Sequence, residues 1–117
     1  MNPARRRLLL LVVLAVPALA AIAQEPAEVL AAYQDRFSEA SPQIKLQILQ
    51  TADALPVEQL GPLYQQGLQY VLGNESQIQT NNTIREMALV AVQKLGAAGY
   101  DPAIPLLWDF FEVFEEN

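Results

Sequence analysis

Apolar positions recur along this chain every three to four residues, and proline, glycine and small polar residues punctuate them. Val29, Leu30, Tyr33 and Phe37 share one face of a helix starting at Pro26 and ending near Glu39, with Glu28, Asp35 and Arg36 on the wet side. Ser41-Pro42 is a start signal, serine as N-cap and proline at the first helical position. Ile44, Ile48, Leu49, Ala52 and Leu55 form the stripe that follows, and Pro56 ends it. A further helix is predicted over residues 57–72, with Leu60, Leu63, Tyr64, Leu68, Val71 and Leu72 inward and Gly73-Asn74 closing it. Gly61 and Gly67 weaken that helix intrinsically, so their presence predicts close approach by neighbouring elements. Residues 75–82 are polar and without period, and read as a loop.

The densest signals lie between Thr83 and Phe114. Thr83 and Glu86 spell a capping box, with Gly96 and Gly99 as stops. Asp101-Pro102 opens a last helix, aspartate as N-cap and proline behind it. The two helix pairs are related. Ile44-Lys45 precedes Ile84-Arg85 by 40 residues, and Leu49 and Leu55 stand at the same offset from Leu89 and Leu95. In the second helices Pro62-Leu63 precedes Pro105-Leu106 by 43 residues. A period near 40 in paired helices is the signature of HEAT and armadillo arrays. The chain resembles bacterial HEAT-like repeats in Ile84-Arg85, Ala88, Leu95-Gly96, Asp101-Pro102 and the run from Ala103 to Leu107. The resemblance covers roughly residues 41–114; in the first unit Leu55-Pro56 replaces the Gly…Asp-Pro turn. It implies structural roles for Lys45, Arg85, Asp101 and Pro102. The two basic residues, early in the first helix of each pair, would meet an acid or carbonyl of the adjacent hairpin.

The last helix is apolar almost all round. Ile104, Leu107, Trp108, Phe111 and Phe114 fall on one side, expected to pack on the helix containing Ile84 and Leu95. Leu106, Phe110 and Val113 form a second stripe, expected to stay wet and to meet a partner, with Trp108 as a further interface candidate. Only Asp109, Glu112, Glu115 and Glu116 supply polarity there.

Ahead of this helical region Arg5-Arg6-Arg7 precedes an apolar run from Leu8 to Val16, then Pro17 and small residues ending Ala21-Ile22-Ala23-Gln24. That is the layout of a secretory signal peptide over residues 1–23, with cleavage after Ala23 or, alternatively, after Ala20. Its loss changes the electrostatics: four basic residues then face thirteen acidic ones, a net charge of −9. Such a surface repels phosphate backbones and anionic lipid alike.

Composition narrows the chemistry. The chain has no cysteine and no histidine, so disulfides, thiolate nucleophiles, the commonest metal ligand and the commonest general base are all missing. Carboxylates are the only plentiful acid–base groups. Glu112, Glu115 and Glu116 lack the glycine turn and alternating ligands of a calcium loop and read as a solvated face. Ser38, Ser41 and Ser76 have no elbow and no histidine to activate them. Tyr64, Tyr70 and Tyr100 read as core. Asn74-Glu75-Ser76 and Asn81-Asn82-Thr83 match the glycosylation sequon, a short pattern that arises often by chance.

Together these features predict an all-α chain: a signal peptide, a capping helix over residues 24–40, and two HEAT-like hairpins (41–74 and 83–117) stacked as a short α-solenoid. The expected function is an exported, periplasmic or extracellular protein–protein interaction or scaffolding module, with no cofactor and no catalytic set. Association is expected with another protein or a second copy through the C-terminal helix, and not with nucleic acid or membrane. Two competing readings stay open: a carboxylate-dependent lyase or small-ligand carrier on the same scaffold, and a piece of a longer repeat array.

Overall fold

A computed structural model describes residues 25–116, and among them every regular element is helical. The expected signal peptide lies outside the described residues. Five α-helices follow one another: α1 (Pro26–Glu39), α2 (Pro42–Thr51), α3 (Gly61–Leu72), α4 (Asn82–Ala98) and α5 (Ile104–Glu116). Short 3-10 turns at Val57–Gln59, Glu75–Gln77 and Asp101–Ala103 lead into or between them.

Local chemistry accounts for most of the helix ends. Pro26 and Pro42 sit at the starts of α1 and α2, where a missing N–H costs nothing, and Ser41 Oγ accepts from Ile44 N at 3.4 Å. α2 stops at Thr51, earlier than the residue before Pro56. The chain beyond it is held instead by Tyr33, whose Oη accepts from Asp53 N at 3.3 Å and Ala54 N at 3.0 Å. The expected helix over 57–72 divides into the first 3-10 turn and α3.

The start of α4 differs from the capping box. Asn81, not Thr83, is the N-cap, its Oδ1 accepting from Thr83 N at 3.0 Å and Ile84 N at 3.2 Å. At the other end Gly96 stays helical and Gly99 carries the turn, with φ at +61°. Gly99 N donates to Gly96 O and Tyr100 N to Leu95 O, the paired bonds of a Schellman cap. Asp101-Pro102 then enters a 3-10 turn, so α5 begins two residues beyond the proline.

One core runs through the molecule. Phe37 from α1, Ile48 and Leu49 from α2, Leu63, Tyr64, Leu68 and Val71 from α3, and Ile84, Met87, Ala88, Ala91 and Leu95 from α4 are all buried in it. α4 packs most extensively on α3 and also lies against α2 and the Val57–Gln59 turn. The two glycines of α3 permit these approaches. A Cβ on Gly67 would stand 2.6 Å from Leu49 Cδ1 of α2, and one on Gly61 would stand 2.4 Å from the Tyr100 ring.

Two further expectations fail. Residues 75–82 are not simply a polar loop, because Ile78 is buried at 1% exposure and plugs the core between α3 and α4. Leu89, expected inward by its match to Leu49, is 52% exposed, while Leu49 is fully buried. α4 buries positions 84, 87, 88, 91 and 95, whereas α2 and its C-cap bury 45, 48, 49 and 52. The second helix of the match is therefore rotated about its axis relative to the first, by roughly one residue's turn of about 100°.

Candidate functional site

Lys45 and Arg85, the two basic residues matched across the helix pairs, grip carbonyls of the segment just before their own helix rather than groups of an adjacent hairpin. Lys45 Nζ donates to Ala40 O and, more weakly, to Ser38 O at 3.5 Å. Arg85 Nε donates to Ile78 O at 3.3 Å, its NH2 nitrogen to Gln79 O at 2.6 Å and its NH1 nitrogen to Asn82 Oδ1 at 3.2 Å. Ser38 and Ile78 each lie seven residues ahead of the cation that holds them. Lys45 is not the surface residue its charge suggests. It is 6% exposed, and its ammonium lies 5.2 Å from the Phe37 ring centre and 4.9 Å from that of Tyr70. Those rings meet edge to face at 6.4 Å, so α1, α2 and α3 converge on one cation. The arrangement is a clasp between helices, with the ammonium bonded to two carbonyls and set against two rings.

Asp101 and Pro102 are exposed in the turn before α5, and Ala103 behind them is fully buried. This anchors the entry to the last helix, whose closest backbone approach is to α3 rather than to α4. The two stripes of α5 are thereby largely exchanged relative to expectation, Leu107 alone of the described residues in the expected inward stripe still packing on the core. Phe110 is buried at 5% exposure, and Leu106, Leu107 and Val113 pack partly buried against the core. Ile104, Trp108 and Phe111 face outward at 47%, 65% and 46% exposure. Of the four residues expected to form an interface, Trp108 alone is exposed, and Phe110 belongs to the core. The side chain of Phe114 lies outside the described residues.

Ile104, Trp108 and Phe111 are spaced 4 and 3 residues apart, and Glu115 continues the row after a further 4. A 4-3-4 spacing is the seam of a helix that pairs with another helix. Asp109 and Glu112 project along one side of the row, both exposed. The apolar surplus of α5 that its sequence shows is exposed at Ile104, Trp108 and Phe111 rather than at Leu106, Phe110 and Val113. The surplus itself is real.

The other candidates resolve as structure. Tyr64 is buried in the core, and that burial, reinforced by nearby Tyr33, pushes its phenol above the ordinary range. Tyr100 packs on Gly61, and Tyr70 closes the Lys45 clasp. Both sequon asparagines are engaged: Asn74 Nδ2 donates to Tyr70 O at 2.8 Å, while Asn81 caps α4 and donates from Nδ2 to Gln77 Oε1 at 3.3 Å. Gln66 Nε2 ties α3 to α1 through Gln34 O at 3.1 Å. Among the described residues no group of three or more His, Cys, Asp or Glu side chains is placed to hold a metal ion, and no helix is long and apolar enough to cross a membrane.

Comparison with known protein families, characterised proteins and solved structures finds no match to this chain.

Proposed function

We propose that this protein is an exported protein–protein interaction module built from two HEAT-like helix pairs, and that it binds through the outer face of its last helix. The observation that carries this reading is the exposed row Ile104, Trp108 and Phe111. Three large apolar side chains at the spacing of a helix-pairing seam lie on the last helix, each close to half exposed or more. Tryptophan at the centre of such a row is the residue type most enriched at interface hot spots. The repeat reading is supported by the packing of α2 on α4 and of α3 on α5, first helix on first and second on second. The matched carbonyl grips of Lys45 and Arg85 support it as well. Export rests on the leader pattern of residues 1–23.

The test is affinity capture with the chain from Gln24 onward as bait, comparing wild type with Trp108→Glu and Ile104→Glu. Both variants are expected to keep the helical circular dichroism signal, because neither side chain is in the core, and to lose the captured protein. Capture of the same protein by all three baits would overturn the proposed surface. For the export component, N-terminal sequencing is expected to find Gln24 or Ala21 first; an intact Met1 on the exported protein contradicts it.

A further inference from the structure

The charge around the exposed row of α5 specifies what can lie on it. We infer that its occupant is a cationic amphipathic helix of another protein, which sets apolar residues on Ile104, Trp108 and Phe111 and lysines or arginines beside Asp109, Glu112 and Glu115. The inference rests on the proposed interaction surface and adds the chemistry of the partner.

Three observations point the same way. First, α5 carries acids and no base: Asp109, Glu112, Glu115 and Glu116 are its only charged residues. Asp109, Glu112 and Glu115 are exposed. In a helix pair the charged residues at the end of the apolar seam and beside it choose the partner by charge, and acids there select a basic partner. Second, Trp108 is 65% exposed at the middle of the row, with Glu112 one turn beyond it. An indole face is the best aromatic acceptor for a cation, so a lysine or arginine reaching Glu112 crosses a surface that also attracts it.

Third, the chain is poorly equipped to satisfy this surface with a second copy of itself. Another α5 brings the same acids and no base. Of the basic residues from Gln24 onward, Lys45 and Arg85 are held by carbonyls in the fold, leaving Arg36 and Lys94 against thirteen acids. Anionic lipid is disfavoured by the same field. The row is also only as long as α5, 13 residues. Apolar contact over so short a seam is modest, which gives the charged flanks a large part in selecting the partner.

Trp108 is the only tryptophan in the chain, so its fluorescence reports occupancy of the row directly. The probes are synthetic amphipathic helices without tryptophan, identical in their leucine seam, one flanked by lysine and the other by glutamate. The chain from Gln24 onward is titrated with each at low and at physiological salt. The lysine peptide is expected to shift Trp108 emission to the blue, to weaken as salt rises, and to bind at least about tenfold more tightly than the glutamate peptide. Reversing these acids (D109K, E112K and E115K together) is expected to invert that preference with the helical signal unchanged. Phe111→Glu, which leaves the fluorophore in place, is expected to abolish the shift for both peptides.

Several results would overturn the inference. Equal binding of both peptides, or a preference that survives the charge reversal, would leave an apolar docking surface without charge selection, and the interaction reading would stand alone. A concentration-dependent dimer in sedimentation, lost in Trp108→Glu, would make the occupant a second copy. No response of Trp108 to either peptide, together with capture indifferent to Trp108, would remove the surface itself.

Discussion

Lys45 shows how much a single residue's setting changes its energetic role. An exposed lysine pair contributes about 0–1 kcal/mol. Here the lysine is buried, with its ammonium bonded to the Ala40 and Ser38 carbonyls and set against the Phe37 and Tyr70 rings. Lys45→Met keeps the aliphatic stem and strands those carbonyls, and is expected to cost about 1–3 kcal/mol in urea unfolding. A loss near zero would show that the clasp is incidental. The leucines matched across the units give a second contrast. Leu49→Ala opens a cavity beneath Gly67 and is expected to cost about 2–5 kcal/mol, while Leu89→Ala, at 52% exposure, is expected to cost below about 1 kcal/mol. Similar costs at both sites would contradict the rotation of α4 relative to α2. Matched sequence positions, in other words, do not guarantee matched burial. Rotating a helix by one residue keeps its sequence pattern while exchanging which leucine is covered.

At the level of elements, the sequence is legible wherever a start signal is unique. Pro26 and Ser41-Pro42 place the beginnings of α1 and α2, because each combines a preset backbone with a cap or a dispensable N–H. Asn81-Asn82-Thr83 offered three capping residues in a row, and only the fold decides among them. Asn81→Ala is expected to destabilise by about 0.5–2 kcal/mol. Thr83→Ala, whose hydroxyl holds no cap bond, is expected to change stability by less than about 0.5 kcal/mol. Thermal unfolding of the two variants decides between the caps; the reverse order would restore the capping box. The faces of α5 were not legible for a related reason. Ile104, Leu106, Leu107, Trp108, Phe110, Phe111 and Val113 surround the helix so completely that periodicity marks no preferred side. In the fold Ala103 is fully buried in the turn ahead of α5, and α5 lies against α3 with Phe110 buried.

For the whole molecule, packing is strongest in the middle and thins toward both ends. α4 lies against α2, α3 and the Val57–Gln59 turn, whereas α5 relies mainly on α3. In a stack held by nearest neighbours, elements with one neighbour open at lower free energy than elements with several. Native-state hydrogen exchange should therefore find the slowest amides in α3 and α4 and faster ones in α5. Phe110 is the principal buried side chain of α5, at 5% exposure, so Phe110→Ala is expected to raise exchange throughout α5. Protection in α2, α3 and α4 should persist, because α4 is held by α2, α3 and the Val57–Gln59 turn while α5 lies mainly against α3. This also bears on the proposed surface: Ile104, Trp108 and Phe111 ride on the same helix, and a partner lying across them would slow α5 exchange in proportion to its occupancy. If Phe110→Ala instead accelerates exchange equally in α4 and α5, the last helix is part of one cooperative unit. Binding on its outer face would then stabilise the entire fold.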